Sequence, residues 1–257
     1  MTRVLITGAS SGIGKQLANE YAKDKNNLFL VARNEEALLD LKRELEDKYT
    51  IQVEILSKDL SEEEAAKEVY EYALKNNLQV SSLVNNAGFG DYGPFINSNL
   101  DKQVNMINLN VNTLTKFTHL FLKDMKKKNY GNIINLASVA SFMPGPQMSV
   151  YYATKAYVLS LTEALSEELK GTNIYITAVC PGPTKTDFET NASVSFSSVR
   201  MQSVAEMVAY SYGEISKRKK VIIIPGLNNR IYIRFLKLLP KSVIRKIVNQ
   251  VQSKFRR

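Results

Sequence analysis

The chain has 257 residues, 44% of them hydrophobic and 23% charged, the ordinary composition of a globular polypeptide with one large core. A single cysteine, Cys180, excludes an internal disulfide, and no run reaches the ~18 apolar residues of a membrane-spanning helix. The net charge of +9 is confined to one end: Ser216 to Arg257 holds 13 basic residues and no acidic one, whereas the body up to Ile215 carries 21 Lys and Arg against 25 Asp and Glu.

From the N-terminus, short β-branched runs alternate with longer stretches of helical periodicity. Thr2 to Thr7 follows Met1 without the basic segment and apolar run of a secretory signal, so a cytoplasmic location is expected. Further strands are predicted at Leu28 to Ala32, Ile51 to Leu56, Ser81 to Asn85, Asn132 to Ala137, Ile174 to Cys180 and Val221 to Ile224. Helical spacing runs through Glu35 to Lys48 and Asp101 to Lys128, and capping-box pairs Ser61/Glu64 and Ser203/Glu206 mark two helix starts. Strands alternating with helices predict a doubly wound α/β fold, a parallel sheet covered on both faces. Cys180 reads as a small buried hydrophobe, and His119, with no ligand cluster near it, as a packing or interface residue; no metal site is expected.

The first strand runs into ITGASSGIGKQLANEYA, with Gly8, Gly12 and Gly14 between strand and helix. Glycines there let the backbone turn sharply and approach a pyrophosphate, and the helix that follows offers unpaired N–H groups and its positive dipole end. No Gly-Lys-Ser/Thr follows, which sets aside a mononucleotide P-loop. At the end of the second strand, FLVARNEEAL places Ala32 and Arg33 where an acidic residue would bind a ribose 2′-hydroxyl. Arginine suits a 2′-phosphate, so NADP(H) is expected over NAD(H), and Glu35 and Glu36 read as favourable helix N-terminal charges.

VYYATKAYVLSLTEAL puts Tyr151 four residues and Tyr152 three residues before Lys155. Either spacing shares a helix face, so periodicity alone leaves both tyrosines open. A phenol with an ordinary pKa of ~10 needs a neighbouring cation to bring it toward the useful range of an acid-base catalyst.

Taken together, these motifs resemble the short-chain dehydrogenase/reductase family in its classical branch, from Thr2 to about Gly226. TGASSGIG matches the family's cofactor turn, which implies cofactor contacts from Gly8, Ser10, Ser11, Gly12, Ile13 and Gly14, with Arg33 at the 2′-position. SKDL implies Asp59 and Leu60 at the adenine end, LVNNAG implies Asn86, Ala87 and Gly88 beside the adenosine ribose, and PGPTKT implies Pro181, Gly182, Thr184 and Thr186 over the nicotinamide. The family's Tyr-x-x-x-Lys with an upstream serine falls on Tyr151, Lys155 and Ser138; Tyr152 would require Ala156 as its lysine. Asn110 aligns with the family asparagine of a water-linked proton relay, with Asn112 close enough to compete for that assignment. Ala137 and Ser141 depart from the usual serine and glycine without removing a functional group.

The resemblance implies a Rossmann-type seven-stranded sheet of order 3-2-1-4-5-6-7 and an NADPH-dependent carbonyl reductase or alcohol dehydrogenase. In that reading Tyr151 is the proton donor, Ser138 the oxyanion donor, and Lys155 the holder of the nicotinamide ribose. It also implies a homodimer or homotetramer formed through the helices that contain Asn110 and Tyr151. A non-catalytic NADP-binding scaffold or redox sensor at a membrane surface is the rival from another class; an epimerase of the extended branch fits the length and glycine pattern less well.

Specificity is expected from the loop after Ser138 and from residues 186–203, where Phe142, Met143, Met148, Phe188 and Phe196 suggest a hydrophobic small-molecule substrate. Beyond the catalytic domain, residues 1–226, lies an extension over residues 227–257 with nine Lys and Arg among Ile, Leu, Phe and Val, broken by Pro240 into two short helices. Such a basic amphipathic segment predicts peripheral contact with the inner face of a membrane, packing on the substrate pocket or on a second subunit, or both; no nucleic-acid motif accompanies it.

Overall fold

A computed structural model describes residues 2–196 and 201–255. Within it, β1 (Thr2–Thr7), β2 (Asn27–Ala32), β3 (Val53–Ser57), β4 (Gln79–Asn85), β5 (Gly131–Leu136), β6 (Ile174–Val179) and β7 (Ile222–Ile223) pair in parallel in the order β3-β2-β1-β4-β5-β6-β7. Both faces of the sheet are dry. Val4 and Ile6 of β1, with Leu28 and Leu30 of β2, bury against one helical layer, while Leu5, Phe29 and Val31 point into the other. This alternation of wholly apolar strands is what a parallel sheet between two helical layers requires.

The first layer contains α1 (Gly12–Lys23), α2 (Glu35–Tyr49) and α8 (Val204–Ile215). The second contains α3 (Ala65–Lys75), α5 (Leu114–Lys128) and α6 (Ser149–Glu168), preceded by α4 (Leu100–Ile107). Connections leave β1 for β2 on one side and return to β4 on the other, so the carboxyl ends of β1 and β4 flank the crevice where the winding reverses.

Several local expectations hold. Asn34 caps α2 by accepting from the Ala37 N–H at 3.0 Å, and Glu35 and Glu36 occupy its first turn. Ser203 caps α8 by accepting from the Glu206 N–H at 3.2 Å. Cys180 is fully buried as a free thiol.

Others are corrected. Ser61 does not cap a helix: α3 begins only at Ala65, and the Ser61 hydroxyl donates to the Asp59 carboxylate at 2.7 Å. The stretch from Asp101 to Lys128 is not one regular helix, because a π-helical segment, Asn108–Thr113, joins α4 to α5. Such widened turns re-aim side chains at functional sites, and here Asn110 is the residue turned fully inward. His119 is exposed on α5 and packs in no core.

The last two helices, α9 (Leu227–Leu236) and α10 (Lys241–Gln252), flank Pro240 as the sequence predicts. Their inner faces bury Ile233, Leu236, Ile244 and Val248 against Met143. Each such burial contributes about 1.5–3 kcal/mol, so this extension is docked on the body. The short α7 (Phe188–Asn191) lies in the loop 186–203, of which residues 197–200, like 256 and 257 of the tail, fall outside the described residues. The loop's return is pinned where Gln202 N–H donates to Pro183 and Lys185 N–H donates to Gln202, both at 3.0 Å.

Candidate active site

The glycine turn after β1 is held from beneath. Gly8 has φ +64°, a left-handed conformation that favours glycine, and its carbonyl and that of Thr7 accept from the Asn86 side-chain amide at 3.1 and 2.8 Å. The Thr7 hydroxyl accepts from the N–H groups of Asn86 and Ala87, both at 3.0 Å, and donates to Val84. Asn86 therefore braces the turn with its amide fully engaged.

At the start of α1, the Ser11 side chain makes no capping bond and the first turn holds no acidic residue. The N-terminal amides of this helix thus point at the groove with nothing negative beside them, the condition a pyrophosphate meets.

A groove of about 500 Å³ runs along the carboxyl ends of the strands, lined by Gly8, Ser10, Ser11, Gly12, Ile13, Arg33, Asp59, Leu60, Asn86, Ala87 and Gly88, with Tyr151, Lys155, Pro181 and Thr186 at its inner end. Fifteen of the residues expected at the cofactor thus share one cleft. Gly14 does not line it: a Cβ there would lie 2.3 Å from the Gly8 carbonyl oxygen, so its role is to let α1 approach the turn. Gly182 and Thr184 also lie elsewhere, in the adjoining pocket, and a Cβ on Gly182 would strike the Asn229 side chain of α9.

At the outer end, Arg33 has a side chain 78% exposed and sits with Nη1 3.8 Å from Asp59 Oδ2. Burial tends to raise the Asp59 carboxyl, but hydrogen bonds from the Ser61 N–H and hydroxyl, helped by the Arg33 charge, hold it below its ordinary range. Lys58 and Asn34 line the same end and escaped the sequence reading. Lys58, within SKDL, was the available signal; it now pairs with Glu62 and Glu68.

The inner end assembles from three elements. Ser138 follows β5 and begins a 3-10 turn, Val139–Phe142, where its oxygen accepts from the Ala140 N–H at 3.1 Å. Ser141, the unusual residue of this segment, ties the turn to α6: its hydroxyl donates to the Lys155 carbonyl at 2.7 Å and accepts from the Ser138 N–H at 3.3 Å. The sequence reading assigned Ser141 no task, since its partners are remote in sequence.

On α6, Lys155 is 6% exposed; its Nζ donates to the Leu136 carbonyl at 2.7 Å and lies 5.9 Å from the centre of the Tyr151 ring. Burial lowers the Lys155 pKa to about 8. Burial also pushes the Tyr151 phenol up to about 12, while the hydrogen bond with Ser138 works the other way. The lowering of Tyr151 by Lys155 expected from the sequence does not show in the protein alone, where burial dominates the phenol.

Asn110 accepts from the Phe89 N–H at 3.2 Å and donates to the Phe89 carbonyl and the Thr154 hydroxyl at 3.0 and 3.1 Å. Asn112 instead donates to Asn108 on the exposed side of the helix. A Cβ at Gly88 would lie 2.8 Å from Asn110 Oδ1 and 3.5 Å from Lys155 Nζ, which brings all three to one wall.

A second pocket, of about 350 Å³ and mostly apolar, opens on the other side of Tyr151. Ile13, Tyr151, Pro181, Thr186 and Phe188 line both cavities, so the tyrosine stands at their junction. Met143, Met148, Phe188 and Phe196 face this pocket as expected, but Phe142 does not: it packs under the tail with Lys237 Nζ 5.2 Å from its ring centre. Tyr152 lines this pocket too, packed against α9 and α10, with its phenol raised by burial. The far wall, which sequence reasoning missed residue by residue, comes from Tyr232, Val248, Val251 and Phe255 of the tail.

The family profile described as short chain dehydrogenase matches residues 2–195. The chain belongs to the short-chain dehydrogenase family. This dehydrogenase is 34% identical over 236 residues to an NADP-dependent 3-hydroxy acid dehydrogenase of Schizosaccharomyces pombe, covering 86% of this chain and 89% of that protein. It is 33% identical over 181 residues to a very-long-chain 3-oxoacyl-CoA reductase of Anas platyrhynchos, over 69% of this chain but only 58% of the relative. Among solved structures it is similar to a short-chain dehydrogenase from Sphingobium yanoikuyae in complex with NADPH, at TM-score 0.85 and 33% identity over 93% and 92% of the two chains. The dehydrogenase is an oxidoreductase of the classical branch, with the family's sheet order.

Proposed function

We propose that the protein is an NADPH-dependent reductase of uncharged, apolar ketones or aldehydes, also able to oxidise the corresponding secondary alcohols. The observation that carries this reading is the position of Tyr151 between a long groove with polar anchors and a short apolar pocket. When bound, NADPH would supply the hydride. The N-terminal amides of α1 would hold its pyrophosphate, and Arg33, with Lys58 beside it, would hold the 2′-phosphate. Pro181 and Thr186 shape the nicotinamide end.

At the reacting carbonyl, Tyr151 gives its phenolic proton to the oxygen and Ser138 donates a hydrogen bond as charge grows there. Lys155 holds the cofactor ribose and, with Asn110 and a water, returns a proton to Tyr151. In the oxidative direction Tyr151 is the base.

The substrate class follows from the lining. The lining supports an apolar substrate: Met143, Met148, Phe188, Phe196 and Phe255 face the pocket, and among the described residues no Lys or Arg does. The test is NADPH consumption with aliphatic, aromatic and long-chain ketones beside the matching 3-oxo acids, repeated with NADH. Preference for the neutral ketones with NADPH supports the reading, and preference for the acids overturns it.

The same reading includes a cytoplasmic homodimer or homotetramer. Leu100, Val104 and Ile107 form an exposed apolar stripe on α4, next to exposed Phe95 and Ile96, and this supports burial against a second copy. It also includes contact of the basic tail with the inner face of a membrane. No helix among the described residues is long and apolar enough to cross one.

A further inference from the structure

The tail helix α9 has two apolar faces with different fates. Ile233 and Leu236 are buried against the body, and Asn229 and Tyr232 line the apolar pocket. On the opposite side Leu227, Ile231, Phe235 and Leu238 are 62%, 56%, 54% and 83% exposed. At 100° per residue Leu227, Ile231 and Phe235 fall within one quarter of the circumference of α9, and Leu238 is exposed in the turn that follows the helix. Isolated exposed apolar residues need no explanation, but a ridge of four large ones does.

The flank of the ridge limits what can cover it. Arg234 lies beside it on α9, Lys237 and Lys241 bracket Pro240, and residues 227–255 contain no Asp or Glu at all. A second copy meeting this face through a two-fold axis would set Arg234 and its neighbours against their own like charges. An apolar acyl layer beneath negative headgroups complements both features at once.

We propose that the outer face of α9 and the turn after it, with Leu227, Ile231, Phe235 and Leu238 entering the headgroup boundary and Arg234 and Lys241 against the headgroups, docks this protein on an anionic lipid surface. The inference deepens the membrane contact in the reading above by assigning it a face. Because Tyr232 and Asn229 are on the same helix, docking holds the wall of the apolar pocket within one helix width of the lipid.

The experiment is cosedimentation of the full chain with phosphatidylcholine vesicles containing phosphatidylserine, and with pure phosphatidylcholine vesicles. Two variants accompany it, Ile231→Ser/Phe235→Ser/Leu238→Ser and Arg234→Glu/Lys241→Glu, each checked for folding by NADPH binding. The expected result is wild-type binding to the anionic vesicles alone, lost at least about tenfold in both variants and weakened by salt. Undiminished binding of the ridge variant would overturn the assigned face while leaving a membrane contact elsewhere. Absence of wild-type binding would overturn the contact itself, and a ridge-dependent oligomer in vesicle-free solution would identify a second copy as the occupant instead. Ketone turnover, measured separately, tells a failure of this inference from a failure of the catalytic reading.

Discussion

Lys155 Nζ donates to the Leu136 carbonyl at 2.7 Å, across from the strand end that leads to Ser138. This bond fixes the ammonium on the sheet and leaves it 5.9 Å from the Tyr151 ring centre, in a setting where burial lowers its pKa to about 8. The unfolded chain keeps this lysine protonated to about pH 10.4, so between pH 8 and 10 the unfolded state binds more protons and folding stability rises with pH. The stability of wild type minus that of Lys155→Met should therefore increase by about 2 kcal/mol over that window. Denaturant titrations of the cofactor-free protein at the two pH values measure it, and a flat difference would show the lysine to be solvated.

Arg33 lines the groove mouth, and among the described residues Asp59 is its charged partner. A phosphate dianion would compete well for such an exposed guanidinium. Arg33→Ala should raise the KM for NADPH by roughly 10–100-fold and change that for NADH little; steady-state kinetics with both cofactors decide it.

Two helical glycines should respond oppositely to alanine. At Gly14 the new Cβ meets backbone, the Gly8 oxygen, at 2.3 Å, so Gly14→Ala should cost roughly 1–3 kcal/mol and weaken NADPH binding. At Gly213 of α8 nothing lies within 4 Å, so Gly213→Ala should stabilise by about 0.5–1 kcal/mol. Thermal melts and cofactor titration of both variants check this pair.

Phe255 closes the apolar pocket through an aromatic series: its ring centre is 5.1 Å from Phe196, which stacks on Phe188, which lies 5.3 Å from Tyr151. Phe255→Ala should enlarge the pocket and shift the ratio of kcat/KM toward bulkier ketones by about tenfold. An unchanged ratio would remove the tail from substrate selection.

Much of this arrangement was legible in the sequence because it rests on local rules. Alternating strand and helix patterns pointed to a parallel sheet covered on both faces, the family resemblance supplied its strand order, and the glycine turn with its following helix marked the groove. What escaped depends on contacts distant in sequence. Tyr151 and Tyr152 are indistinguishable by periodicity, yet Tyr151 stands where the groove and the apolar pocket meet, whereas Tyr152 lines the pocket alone, against the tail. The π-helical segment that turns Asn110 inward leaves no periodic signature, and Ser141 acquires its role only where α6 passes the 3-10 turn. Charge attraction between Lys155 and Tyr151 was inferred from spacing, whereas the burial that dominates both groups belongs to the assembled core. The tail's amphipathic character was plain, whereas its division between pocket wall and outer ridge required the docking of α9.

The most direct measurement is NADPH oxidation with a productive ketone by wild type and Tyr151→Phe, alongside NADPH binding to each. The account predicts a loss of turnover of at least about 10²–10⁴-fold with binding retained, since the substitution removes only the hydroxyl at the junction of the two cavities. Turnover that persists in Tyr151→Phe would contradict the assignment of that phenol as the proton donor.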